Sequence, residues 1–331
     1  MITLFGERDN RILLNAILLQ SSIRCKHQCQ GCYTRAQEAK NPDRQSDYFI
    51  LLGFIRNLVQ GKGIAANQIC ISLDTLIDQE LEQQRQFFLE LLCIFKKYQR
   101  SEWLPELALT AHDLSLLGGK GPLNFPSGNH LRRYINHISL SSYQTTTDSP
   151  RAILEDLGYS ATLNYNQTLG LFKAGDLQEP LGSADFVYLN LHKPPLGEEY
   201  PIITSSSRRL NVLPVNQIVS IQSQLESLKK VKSNYEDAWT EGKIIQDHCL
   251  TDSLASGCGA NISKVTVWPD GAVSGCPYAL EPQTGPANSA DEIVENIRKS
   301  LVRNGGHYSF EDCKISETLV NLTRVKLGLE S

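Results

Sequence analysis

The sequence predicts an α/β protein: a partial (β/α)6 TIM-like barrel followed by a small C-terminal extension made of a β-hairpin and a helix. Two observations lead to this prediction. Apolar runs alternate with longer amphipathic stretches over roughly the first 235 residues, which is the pattern of parallel strands joined by crossover helices. After about residue 240, Gly, Ser, Pro and Cys become frequent, which indicates a different kind of structure.

The barrel region contains six expected strands. They follow the apolar runs at 12–21, 68–73, 107–111, 137–142, 161–165 and 185–191. The first of these runs fits either a buried strand or a short helix by pattern alone. Helices are expected at 48–59, 79–98, 149–158 and 215–231, the third because Ser149-Pro150 is a helix start and Gly158 a helix end.

The extension begins with a turn signal. Two short alternating runs, 264–268 and 272–274, flank Pro269-Asp270-Gly271, and this turn chemistry predicts a β-hairpin. An amphipathic helix is expected at 290–302. We therefore expect two domains, a barrel over 1–235 and an extension over 236–331.

Composition narrows the class of protein. The 331 residues carry a net charge of −4 and include 41% hydrophobic residues, so the chain should bury a large core and shows no general affinity for nucleic acid. No apolar run is long enough to span a membrane, and no signal peptide is recognisable. A cytoplasmic location follows, in which the nine cysteines would stay reduced. Cys70 and Cys93 lie in apolar runs and are expected to be small buried residues.

Three cysteines lie close together near the start. Cys25, Cys29 and Cys32 have the spacing C-x3-C-x2-C, and three thiolates can hold three irons of a [4Fe–4S] cluster while the fourth iron stays open. A zinc site with His27 as fourth ligand is an alternative. A single catalytic thiol is another, although it would not need three cysteines.

The motif and its position after the first expected strand resemble the radical S-adenosylmethionine (radical SAM) superfamily. The resemblance implies a [4Fe–4S] cluster whose open iron chelates S-adenosylmethionine. One electron then cleaves this cofactor to methionine and a 5′-deoxyadenosyl radical, which abstracts a hydrogen atom. The position at the carboxyl end of a barrel strand is where barrel enzymes carry their chemistry.

The chain departs from the family pattern in two places. Gly31 stands where members often have an aromatic residue, and Tyr33 follows the third cysteine; residues 72–75, Ser-Leu-Asp-Thr, replace a Gly-Gly-Glu-like segment. Polar residues that end later strands (Ser141, Ser142, Asn164, Asn166, His192 and Lys193) are candidates for the ribose and carboxylate, and each equally fits a strand end that contacts no ligand. The expected cofactor contacts are Tyr33, Ser72, Asp74, Ser141, Asn164 and His192.

A second set of cysteines lies in the tail. Cys258 and Cys276 bracket the expected hairpin, and Cys313 follows. The arrangement resembles the twitch and SPASM extensions of radical SAM enzymes, and the shorter twitch type fits better. The resemblance implies a second, auxiliary [4Fe–4S] cluster, with Cys249 as its fourth ligand. Without Cys249 one auxiliary iron would be open to substrate, and a zinc knuckle made by the same four cysteines is a further alternative.

These extensions mostly occur on enzymes that modify ribosomally made peptides, so a precursor peptide is the expected substrate. Because the first cysteine set begins at residue 25, we expect a separate small partner that binds the leader peptide, and an external electron donor. The splicease type, which removes a tyramine unit at a Tyr-Gly site and leaves an α-keto-β-amino acid, is the subgroup expected. Peptide cross-linking, a small-molecule substrate and a noncatalytic iron–sulfur redox or sensor protein are the alternatives.

Overall fold

The fold is defined by ten strands and eight helices in the parts of the chain that the computed structural model describes. These parts are residues 6–8, 10–24, 33–72, 81–111, 114, 117–118, 133–141, 149–169, 177–190, 221–246, 263–277, 279 and 281–303. The strands are β1 (Gly6–Arg8), β2 (Arg11–Leu19), β3 (Ile64–Ser72), β4 (Glu106–Ala111), β5 (His137–Ser141), β6 (Thr162–Thr168), β7 (Phe186–Asn190), β8 (Ile244–Gln246), β9 (Lys264–Val267) and β10 (Val273–Ser274). The helices are α1 (Tyr33–Lys40), α2 (Tyr48–Val59), α3 (Leu81–Lys97), α4 (Pro150–Asp156), α5 (Gln178–Ser183), α6 (Ile221–Asn234), α7 (Glu236–Thr240) and α8 (Ala290–Arg303).

All ten strands belong to one sheet, whose order is β10-β9-β2-β3-β4-β5-β6-β7-β8, with β1 paired to β2. From β2 to β8 each strand pairs in parallel with the next. Within the described residues, the end strands β8 and β10 do not pair with each other, so the sheet is open. The predicted α/β class and partial barrel are therefore confirmed, with the hairpin and final helix as an extension.

Each of the six expected strands is present. The run at 12–21, whose pattern fits either a strand or a helix, forms strand β2. Two strands were not predicted: β1, and β8, which pairs with β7 in parallel. Residues 236–246 thus continue the parallel sheet beyond the expected boundary at 235, and the division into two domains stays a prediction.

Side chains on the two faces of the sheet differ in character. One face carries fully buried aliphatic residues, among them Ile17, Ile71 and Leu109, which pack with the phenylalanines of α2 and α3. The hydrophobic effect of this burial, at about 25 cal/mol per Å² of apolar surface, is the main force that holds the helices on the sheet. No helix in the described residues is long and apolar enough to cross a membrane.

One prediction about this core is wrong. Cys93 was expected to be buried but is exposed on α3. The helical period explains this, because Leu91, Leu92 and Ile94 take the buried face of α3 and leave the intervening position to solvent. Cys70 is half-buried on β3.

Candidate metal and cofactor site

The face of the sheet opposite the aliphatic core carries a row of hydroxyl and amide side chains. In register across four neighbouring strands lie Ser72, Thr110, Ser139 and Asn164, which we call the polar row. Residues paired in register in a parallel sheet point to the same face. All four are half-buried. A buried parallel strand normally carries apolar residues on both faces, so the polar row is a departure from the usual pattern of such strands.

Asn164 is the member of the polar row with an unsatisfied group. Its Oδ1 atom is buried and has no hydrogen-bond partner among the described residues. Leaving a buried acceptor unpaired costs about 1–3 kcal/mol, and a ligand hydroxyl or amine would remove this cost. Asn164 Oδ1 is therefore an acceptor that a hydroxyl or amino group, such as those of S-adenosylmethionine, would satisfy.

The other expected cofactor contacts are placed as follows. Ser72 ends β3, Ser141 ends β5 at the register position of Asn166, and Tyr33 is the first residue of α1. Asp74 and His192 lie outside the described residues. Ser72 thus belongs with Asn164 to one row, whereas sequence reasoning missed Thr110 and Ser139, because a single hydroxyl inside an apolar run gives no signal by itself.

Strand β2 leads the chain towards the first cysteine set. Beyond β2, the backbone N–H of Gln20 donates to the Val267 carbonyl at 2.9 Å. The backbone N–H of Arg24 donates to the Ser22 hydroxyl at 2.9 Å. These bonds fix the backbone up to the residue before the first cysteine. Cys25, Cys29 and Cys32 themselves lie outside the described residues.

The hairpin leads the chain to one residue of the second set. Its turn is closed by the Trp268 amide, which donates to Ala272 at 2.8 Å, and Cys276 follows β10. Trp268 Nε1 donates to the Ser274 hydroxyl at 2.9 Å, which in turn donates to the Cys276 carbonyl at 3.0 Å. Cys276 is half-buried and forms no disulfide, and its thiol is the donor type that an iron–sulfur cluster takes.

The remaining expected ligands of this set, Cys249, Cys258 and Cys313, lie outside the described residues. Where the structure is described, no group of three or more His, Cys, Asp or Glu side chains converges as a metal site. Both cysteine sets therefore stay predictions.

The hairpin is attached directly to the strand that precedes the first set. β9 pairs in parallel with β2 from Ala16–Lys264 to Leu19–Val267. Ile23, Trp268 and Ala272 form a small buried cluster of their own. The chain segments on either side of this contact are those that carry Cys25 and Cys276, so the structure brings the approaches to both sets together.

An ion pair supports the hairpin turn from the barrel side. The Arg44 guanidinium pairs with the Asp270 carboxylate and lies 5.4 Å from the centre of the Trp268 ring, within the range of a cation–π contact. A cleft of about 630 Å³ lies between the loop that follows α1 and the hairpin turn, lined among others by Asn41, Asp47 and Pro286. Its charges of both signs give no clear preference for a ligand.

One tyrosine near the polar row has a shifted pKa. Burial, and then the negative charge of Glu179, raise the pKa of Tyr165 above 10.0. Tyr165 lies on β6 next to Asn164, but in the aliphatic core. The shift favours the neutral, protonated phenol.

No protein-family model and no curated protein sequence matches the chain. Among solved structures, its open α/β sheet matches Streptococcus suis SuiB bound to the precursor peptide SuiA, with a TM-score of 0.56 and 12% identity, over 90% of this chain and 68% of SuiB. SuiB bound to S-adenosylmethionine matches with a TM-score of 0.54 and 10% identity, over 89% of this chain and 68% of SuiB. The chain thus has the fold of SuiB, and likeness at such low identity shows the fold alone.

Proposed function

We propose that the chain is a radical SAM enzyme that modifies a ribosomally made precursor peptide. The observation that carries the proposal is the fold shared with SuiB, in a chain whose C-x3-C-x2-C motif occurs between β2 and α1. SuiB binds S-adenosylmethionine and a precursor peptide. A ligand of the first kind suits the polar row, because Asn164 offers an unpaired acceptor there.

In this proposal Cys25, Cys29 and Cys32 hold a [4Fe–4S] cluster with an open iron. When bound, the cluster and S-adenosylmethionine would supply a 5′-deoxyadenosyl radical for hydrogen abstraction. The chain's own residues bind and orient the cofactor and exclude water. Asn164 would accept a hydrogen bond from the cofactor, while Ser72 and Ser139 lie in the same row.

Cys276, with Cys249, Cys258 and Cys313, would hold an auxiliary [4Fe–4S] cluster of the twitch type. The finer parts of the proposal are a separate partner that binds the leader peptide, an external electron donor, and the splicease reaction at a Tyr-Gly site. Mass spectrometry of a precursor peptide after turnover separates these outcomes. Splicing removes mass from the peptide interior, whereas cross-linking removes only hydrogen.

The first test is anaerobic reconstitution with iron and sulfide. Two clusters require about eight irons per chain, and reduction with dithionite in the presence of S-adenosylmethionine should release 5′-deoxyadenosine. The triple variant Cys25→Ala, Cys29→Ala and Cys32→Ala should retain about four irons per chain. It should release no 5′-deoxyadenosine. Bound iron without cofactor cleavage in the wild type would favour a noncatalytic redox or sensor protein, and bound zinc without iron would exclude both functions.

A further inference from the structure

The approaches to the two cysteine sets are joined by two buried glutamines. Gln20 directly follows β2 and leads towards Cys25, while Gln37 lies on α1, the helix that follows Cys32. Gln20 Nε2 donates to Gln37 Oε1 at 3.1 Å. Gln37 Nε2 donates to two backbone carbonyls shortly after Cys276, to Pro277 at 2.9 Å and to Ala279 at 2.7 Å.

The geometry leaves the Gln37 amide only one orientation. Both protons of its nitrogen are used on carbonyl oxygens, and its oxygen accepts from Gln20. The flipped amide would place an oxygen against two carbonyl oxygens. The exposed fraction is 0% for Gln37 and 2% for Gln20, so bulk water does not compete for these bonds. A buried, fully used amide at this position specifies one relative arrangement of three chain segments.

We propose that Gln37 is a positioning residue that sets the spacing between the two cysteine sets, through its bonds to Gln20 on one side and to the backbone after Cys276 on the other. This inference rests on the proposed function, because it assumes that both sets hold clusters. The backbone of Gln20 is itself fixed, since its backbone amide donates to the Val267 carbonyl of β9. Gln20 and Gln37 therefore connect β9, the first strand of the hairpin, to the residues that follow Cys276.

The test replaces Gln37 with methionine, which has a similar length and no amide. Gln83→Met, the same change at an exposed position of α3, is the matched control. In protein without metal, amide hydrogen exchange of the segment 276–283 should become about 10- to 100-fold faster in Gln37→Met and stay unchanged in Gln83→Met. This readout requires neither cluster nor activity.

The second readout is spectroscopic. In reconstituted protein, Gln37→Met should still bind about eight irons, but the magnetic interaction between the two reduced clusters should change in the electron paramagnetic resonance spectrum. Iron of the auxiliary cluster should also pass to a chelator about 10-fold faster or more. A loss of global stability alone would lower the unfolding midpoint without altering the interaction spectrum.

A double-mutant cycle with Gln20→Met completes the test. If the two amides act as one relay, the effects of Gln20→Met and Gln37→Met on the exchange rate are not additive. Additive effects, or a Gln37→Met spectrum identical to that of the wild type with both clusters present, would overturn the inference while leaving the proposed function standing. A wild type without iron would instead refute the proposed function.

Discussion

Replacing Gly271 with alanine should weaken the hairpin turn by an amount that two other glycines calibrate. Gly271 has φ +77, and a Cβ atom there would lie 2.7 Å from Ala287 Cβ and 2.9 Å from Ile293 Cγ1. Gly158 and Gly242 have φ +78 and +74, with no atom within 4 Å of such a Cβ. The two control positions therefore share the left-handed backbone of Gly271 without its crowding.

The expected losses in the free energy of unfolding follow from the backbone conformation and from the crowding. A left-handed backbone costs an alanine about 1–2 kcal/mol, and the lower entropy of the unfolded chain returns about 0.4–1 kcal/mol. Gly158→Ala and Gly242→Ala should therefore lose at most about 1.6 kcal/mol. Overpacking adds about 1–3 kcal/mol, so Gly271→Ala should lose about 1–3 kcal/mol more than the two control variants.

Urea unfolding of the metal-free protein measures these losses. The chain has three tryptophans, so fluorescence follows the unfolding of the whole protein, with buried Trp268 beside the turn among its reporters. The free energies of unfolding are compared for variants with equal dependence on urea concentration. A Gly271→Ala protein that is as stable as Gly158→Ala would refute the argument that close packing against α8 holds the turn.

Three further predictions concern the hairpin, the polar row and the last helix. Ser274→Ala should lower the free energy of unfolding by about 1–3 kcal/mol in urea titrations, because Trp268 Nε1 loses its buried acceptor; an unchanged value contradicts this. Asn164→Leu should weaken S-adenosylmethionine binding in calorimetry at unchanged iron content, whereas equal affinity removes Asn164 from the site. Hydrogen bonds from Asn288 lower the pKa of Glu292 below 4.5, so its stabilising contribution is complete above that value and is lost as pH falls through the lowered pKa. Urea midpoints of the wild type should therefore fall more than those of Glu292→Gln between about pH 5 and pH 3, and parallel curves would exclude this role.

The strands could be predicted because the strands of a parallel sheet, covered on both faces, read as nearly continuous apolar runs. The short strand β8 could not, since the three residues Ile244–Gln246 follow a turn and carry no alternation long enough to recognise. The hairpin was predicted from its turn residues, and Gly271 with φ +77 confirms the reason for the glycine. The pairing of the hairpin with β2 was not predicted, because no local sequence pattern specifies which distant strand it will pair with.

The site shows the same limit. Asn164 was predicted as a polar residue that ends a strand, and Ser72 was predicted because residues 72–75 replace the family's Gly-Gly-Glu-like segment. The register now aligns both with Thr110 and Ser139. Gln37 gave no signal, because a glutamine in a helix is usually exposed. Its role depends on two carbonyls far away in the sequence, and only tertiary structure brings such groups together.

The position of β9 has a consequence for how the two cysteine sets can relate. Had the extension packed only through side chains, it could shift relative to the barrel without breaking backbone hydrogen bonds. Instead β9 continues the sheet at β2, and without it β2 would present unpaired backbone groups at a sheet edge. Movement of the hairpin would therefore also disturb the strand that leads to Cys25. The sheet itself restrains the two approaches, and the glutamine pair then fixes what the sheet leaves free, the course of the chain beyond β10.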